Sequence, residues 1–296
     1  MRLGVVVELA RTPLSEVAGL AVAVERAALE LVWLRSTPER PYDALVAAAS
    51  CAHAAPSLHV GAQVPIGTAH PLYLAEERAV VDQLLGGRLV LALHGGGDVE
   101  ELGEWTELLL KAGGTAPFTH AGTRFRVPAG LPGNVVNTED AVRVTPAPFG
   151  LEPALWLDGD GSAEIAAEYG LSVLTGEEES GAEAWADLDA RLGRAALRLR
   201  RPGLRAWDPA AEDATELARR LARERDDWGL DTALLRLAPD PGTDDWRRRV
   251  AELAHVVRPR VQLHRLPDGL EDFWDRERIH LPTAGDDHST TATERR

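Results

Sequence analysis

The chain has 296 residues, 45% hydrophobic and 27% charged, with a formal net charge of −15. That is enough apolar material for one large core, and so acidic a surface disfavours nucleic acid or an anionic membrane as partner. A single cysteine, Cys51, leaves neither an intrachain disulfide nor a cysteine-built metal site.

In chain order, strand and helix signals alternate. Leu3–Val7 is a continuous apolar run and reads as a buried strand ending at Glu8. Ser15–Leu29 is alanine-rich and helical, with Ser15 as its cap. Strand Leu31–Leu34, helix Tyr42–His53 and strand Leu58–Val64 follow. Pro71–Leu85 is the third helix: Pro71 suits its first turn and Gly86-Gly87 stop it. Its apolar positions are not one-sided, so burial is expected around much of its circumference. Arg88–Leu93 is the fourth strand and Val99–Ala112 its helix. The rhythm then breaks across Pro117–Pro148, an insertion with strand-like pieces at Thr123–Val127 and Ala141–Val144. It resumes as strand Ala154–Leu157, helix Ser162–Tyr169, strand Leu171–Leu174, helix Ala182–Leu199, strand Leu204–Trp207, helix Glu212–Glu224, strand Ala233–Leu237 and helix Thr243–Val257. Eight strand–helix pairs are the count of an α/β protein with a (β/α)8 TIM barrel, here with a hairpin inserted after the fourth βα unit. An open, doubly wound sheet is the alternative. The expectation is a single domain over residues 1–281 and a disordered tail over 282–296, which is rich in Thr, Asp and Arg. No apolar run is long enough to span a bilayer, and MRLGVVVELA reads as a first strand, so a cytoplasmic protein is expected.

In such a barrel, chemistry sits where strands end at their C-terminal side. Three regions there stand out. Asp158-Gly159-Asp160-Gly161-Ser162 runs from a strand straight into a helix. Its glycines and Ser162 could cradle an anion on free helix N–H groups. Taken alone, an ordinary cap by Asp160 or Ser162 is the plainer reading, and Asp158 and Asp160 would repel a phosphate unless they turn away. His94-Gly95-Gly96-Gly97 matches neither phosphate-loop nor dinucleotide spacing; His94 is an acid–base candidate or a solvated loop histidine. His70, just before Pro71, could reach the same mouth or simply bond locally. Glu8 suits a salt bridge to a neighbouring strand end; Asp82 and Arg88 suit ties at the opposite face. Cys51 suits a small buried hydrophobe. The remaining histidines have no metal-ligand spacing, so no metal is expected.

The segment HPLYLAEERAVVDQLLGGR, then a strand, then glycines, resembles the luciferase-like flavin monooxygenase family, which includes bacterial luciferase, alkanesulfonate monooxygenase and deazaflavin-using reductases. ALELVWLRS, LHVGAQV, HAGTRFRVPAG and VTPAPFGLEPALWLDGDGSAEIAAEYG resemble further family segments in order, covering most of Met1–Leu174 and more weakly to about Val261. The resemblance implies a (β/α)8 barrel with FMN, or a deazaflavin coenzyme, at the C-terminal mouth. It places the cofactor phosphate at Gly159, Asp160, Gly161 and Ser162, and the ring beside Gly61, Ala62 and Gln63. The implied reaction passes reduced flavin to O2 and oxidises a small organic substrate, with a flavin reductase as possible supplier and a homodimer or heterodimer as assembly. His94 and His70 are the nearby imidazoles. Relatives commonly end the second strand with an acidic residue and a histidine, where Arg35-Ser36-Thr37 stands here, and carry a longer loop after the fourth strand. Two alternatives therefore accompany an active monooxygenase: a non-catalytic flavin-binding or partner-subunit relative, and a deazaflavin-dependent reductase.

Overall fold

The structure, a computed structural model, describes residues 1–39, 43–67, 70–128, 141–149, 154–176, 182–193, 201–238 and 243–262. Its first half runs β1 (Arg2–Glu8), α1 (Leu14–Arg26), β2 (Leu31–Arg35), α2 (Asp43–Ala54), β3 (His59–Pro65), α3 (Pro71–Leu85), β4 (Leu89–His94) and α4 (Val99–Ala112). A hairpin, β5 (His120–Ala121) and β6 (Arg126–Val127), interrupts it. The second half runs β7 (Leu155–Asp158), α5 (Ser162–Tyr169), β8 (Ser172–Val173), α6 (Ala182–Leu192), β9 (Pro202–Trp207), α7 (Ala214–Trp228), β10 (Thr232–Leu237) and α8 (Asp244–Glu252). The last helix continues through a π-helical turn at Leu253–Val257 into α9 (Arg258–Gln262).

The eight longer-range strands form one parallel sheet in the order β8-β7-β4-β3-β2-β1-β10-β9. The two ends of that order meet: Thr175 bridges Gly203 in parallel, with Thr175 N–H donating to Pro202 O at 3.1 Å and Leu204 N–H to Thr175 O at 2.8 Å. The sheet is thus a (β/α)8 TIM barrel, closed through a single bridge. The expected boundary between residues 281 and 282 lies outside the described residues.

Strands β1, β2, β3, β4 and β7 are buried on both faces, which is why they read as unbroken apolar runs. One face packs on the helices. The other fills the bore with Val6, Leu31, Trp33, Val90, Ala92, Trp156, Leu174, Leu204 and Leu234. Trp33 and Trp156 stack across it, with ring centroids 5.1 Å apart and planes 17° from parallel.

The structure corrects three local expectations. Ser15 does not cap α1; the cap position is Pro13 and has no side-chain hydrogen bond. Helix α3 is cleanly one-sided: Leu74, Ala75, Arg78, Ala79, Asp82 and Leu85 are buried, whereas Tyr73, Val80 and Leu84 face solvent. Its pattern looks mixed because polar Arg78 and Asp82 lie on the buried stripe. The helix ends as expected, on left-handed Gly86 at φ 61° and Gly87 at φ 82°, whose N–H groups return to Gln83 O and Asp82 O. Of the strand expected at Ala141–Val144, one bridge remains, Val142 to Phe118.

The hairpin is pinned to α4. Glu104 accepts from Phe125 N–H at 2.7 Å, from Arg124 N–H at 2.9 Å, and contacts His120 Nε2 at 3.0 Å. Phe125 packs edge-on to Trp105 and to His70 at the start of α3.

Candidate functional site

Side chains alternate along a strand, so residues two apart share a face. On the bore side, the apolar layer of Val6, Trp33, Gly61, Ala92 and Trp156 is followed one pleat later by Glu8, Arg35, Gln63, His94 and Asp158. Four of these residues end β1, β2, β4 and β7, and Gln63 lies two residues before the end of β3; the five strands are consecutive neighbours around the barrel. The register sets Glu8 beside Arg35, Arg35 beside Gln63, and His94 beside Asp158. Together they form a polar arc at the C-terminal mouth.

The arc is internally bonded. Arg35 Nη1 meets Glu8 Oε1 at 2.9 Å, the salt bridge expected of Glu8. Trp33 Nε1 donates to Gln63 Oε1 at 3.0 Å, and Gln63 Nε2 donates to Asp158 Oδ2 at 2.5 Å. The same carboxylate oxygen meets His94 Nδ1 at 2.7 Å. Asp158 therefore turns into the bore, away from the helix that follows it. Its hydrogen bond raises the His94 pKa above the ordinary value; partial burial and the Arg35 charge work against it.

Next to the arc, the chain leaves β7 through Gly159, Asp160 and Gly161 into α5. The cap position is Gly161, left-handed at φ 74°, and it makes no side-chain cap. The expected capping by Asp160 or Ser162 does not occur: the left-handed turn brings Ser162 into the first helical position instead. A cleft of about 190 Å³ opens there, lined by Gly159, Asp160, Ser162 and Thr175 and, across it, by Asp187 and Arg191 of α6. Arg191 is held by both oxygens of Glu164, each at 2.9 Å. The glycines answer to protein neighbours: a Cβ at Gly159 would lie 2.8 Å from Gly95 O, and one at Gly161 only 2.4 Å from Val99 Cγ2. Thr175 lies at a strand end, where sequence reading looks, but Arg191 escaped it because nothing in its own segment marks it; the packing of α6 on α5 brings it to this cleft.

The other expected site residues separate. Of Gly61, Ala62 and Gln63, Gln63 belongs to the arc. Gly61 sits a layer lower, where a Cβ would fall 1.9 Å from Trp33 Cε3, and Ala62 is fully buried among the apolar residues on the helix side. His70 caps α3, its Nδ1 accepting from Leu72 N–H at 3.2 Å, and burial lowers its pKa. Ser36 accepts from Ala44 N–H at 2.9 Å and so ties the second strand's exit to α2. Cys51 is buried, as expected. Asp82 and Arg88 tie segments separately: Asp82 accepts from Phe149 N–H at 2.8 Å and Arg88 donates to Ala55 O at 3.2 Å. Among the described residues no group of three His, Cys, Asp or Glu side chains could hold a metal ion, and no helix is long and apolar enough to cross a membrane.

The family model described as luciferase-like monooxygenase matches residues 1–265. The chain belongs to that family. No curated protein matches it. Among solved structures, it is similar to monooxygenase RslO1 from Streptomyces bottropensis, at 15% identity and TM-score 0.67, covering 88% of this chain and 99% of that one. It is similar to the FMN-bound oxygenating constituent of 3,6-diketocamphane monooxygenase from Pseudomonas putida, at 14% identity and TM-score 0.64, covering 89% and 99%. The coenzyme F420 dependent tetrahydromethanopterin reductase from Methanopyrus kandleri matches at 12% identity and TM-score 0.65, covering 87% and 98%. At these identities the likeness is one of fold.

Proposed function

We propose that this chain is a flavin-dependent oxidoreductase, a monooxygenase that takes reduced FMN and O2 to a small organic substrate. One observation carries the reading: the N-terminus of α5 is left without a side-chain cap, and it opens on a cleft lined from Gly159, the residue that follows Asp158 of the polar arc. The first N–H groups of a helix have no partner within it and carry a partial positive charge. Ser162 adds a hydroxyl on the same cleft, and Arg191, paired with Glu164 and Asp187, lines its other side. That donor set fits a phosphate monoester. Asp158, just before Gly159, is turned away toward His94 and Gln63. Asp160 and Asp187 remain on the cleft. When bound, the flavin would supply the redox chemistry, and the chain would supply binding, orientation and shelter from water. A separate flavin reductase would deliver the reduced cofactor.

The test compares FMN, riboflavin and coenzyme F420 by equilibrium dialysis and fluorescence. FMN should bind at least tenfold more tightly than riboflavin, since charge-assisted hydrogen bonds to a phosphate contribute about 1.5–3 kcal/mol each. In Ser162→Asp, a helix-start carboxylate suits the dipole yet repels a phosphate, so that preference should vanish while the fold persists. Equal affinity for FMN and riboflavin would remove the phosphate from this cleft. Binding of F420 alone would assign a deazaflavin reductase instead. Failure of all three at high micromolar concentration would leave the non-catalytic partner subunit, a reading to which the Ser36 tie to α2 already lends itself.

A further inference from the structure

We propose that His94 is a proton-transfer residue, locked with its Nε2 free toward the mouth by a hydrogen-bond chain that begins at the buried indole of Trp33. The argument follows donors and acceptors. An indole N–H can only donate, so Gln63 Oε1 must accept from it. That fixes the Gln63 amide, whose NH2 must then donate to Asp158 Oδ2. An ionised carboxylate only accepts, so the remaining bond to Oδ2 has to come from His94 Nδ1–H. The neutral imidazole is therefore the Nδ1–H tautomer, and Nε2 on the far edge of the ring carries the lone pair. The His94 side chain is 44% exposed, whereas that of Asp158 is 12% exposed, so the base faces outward and its orienting carboxylate is sheltered.

Such a pair can take a proton from a weakly acidic O–H or N–H of a molecule in the mouth. The proton goes to Nε2, the bond electrons stay with the ligand, and the imidazolium is balanced by Asp158; return of the proton reverses the step. The charged groups facing His94 are Asp158 on β7, which raises its pKa, and Arg35 on β2, which lowers it and is itself paired with Glu8 on β1. From β3 comes only the neutral Gln63. Gln63, Asp158 and Trp33 are positioning residues. That a ligand occupies the mouth rests on the function proposed above; the tautomer does not.

The experiment is nitrogen-15 NMR of histidine-labelled protein, with His94 assigned by loss of its signals in His94→Gln. Without any flavin, the wild type should show His94 as the Nδ1–H tautomer, with a titration midpoint above that of free histidine. In Asp158→Leu the oxygen that both Gln63 and His94 share is gone, so the Nδ1–H preference should be lost and the ring proton should move to Nε2, as in free neutral histidine. The midpoint should fall with it. An Nε2–H tautomer in the wild type, or a retained Nδ1–H tautomer in Asp158→Leu, would overturn the lock. With FMN added, the His94 signals should shift. If FMN binds and they do not, the proton-transfer role is lost and the flavin reading stands. If no flavin binds, the flavin reading is lost and the first two spectra alone decide the lock.

Discussion

Replacing Gly61 with alanine asks whether this glycine serves a ligand or serves Trp33. A Cβ built on Gly61 lies 1.9 Å from Trp33 Cε3 and 2.4 Å from Cζ3. The indole must retreat by more than an ångström, and it has nowhere to go. It is fully buried, stacked on Trp156 at 5.1 Å, and bonded to Gln63 at 3.0 Å. Overpacking a tight core costs about 1–3 kcal/mol, and displacement also forfeits the aromatic pair and the hydrogen bond. We expect Gly61→Ala to destabilise by about 3–5 kcal/mol in urea unfolding followed by far-UV circular dichroism. Near-UV signals from the tryptophan pair should change in the folded variant. In a Trp33→Leu background the same substitution meets open space, and its cost should fall below about 1 kcal/mol. Equal cost in both backgrounds, or a neutral Gly61→Ala in the wild type, would refute the contact. A glycine needed only for close approach of a ligand would show unchanged stability and lost binding.

Three further outcomes follow from buried groups. Arg205 Nε and Glu224 Oε2 meet at 2.6 Å with side chains 1% and 3% exposed, so Glu224→Ala should cost about 3–5 kcal/mol by stranding the guanidinium, and adding Arg205→Leu should recover part of it. Burial alone would raise the Glu104 pKa, but His120 and the N–H groups of Arg124 and Phe125 outweigh it and hold it low. A depressed carboxylate stabilises above its unfolded pKa of about 4.3 and loses that contribution as pH falls through the folded value. The Phe125 amide resonance should therefore titrate below the usual glutamate range and not at all in Glu104→Gln; a midpoint at the ordinary value would contradict the pinned hairpin. The Cys51 thiol is pushed up to about 11 by burial, so it should resist a thiol reagent at pH 8 until the protein unfolds, and prompt native-state labelling would show the packing to be wrong.

The barrel was legible because its signals are local. Leu89–Leu93 is continuous because both faces of a parallel strand are covered, and Gly86-Gly87 ends α3 through its own backbone. The roles of Gly61, Arg78 and Arg191 were not legible, because each answers to a neighbour supplied by another βα unit: Trp33 from β2, the α3–α4 packing, and α5. Even so, the arc had a readable signature. In five strands a bore-facing residue is followed two positions later by a polar one: Val6 by Glu8, Trp33 by Arg35, Gly61 by Gln63, Ala92 by His94, Trp156 by Asp158. That repeat has a physical cause. A polar side chain in the bore is satisfied only where the bore opens, so these five strands switch from apolar to polar near their C-terminal ends. The same switch explains why Trp33 and His94 belong to one device. The indole lies in the highest apolar layer, its N–H donates up to Gln63, and the arc above must orient itself to accept it. The direction of every hydrogen bond from Gln63 to His94 is thereby set from below, by packing, before any ligand arrives.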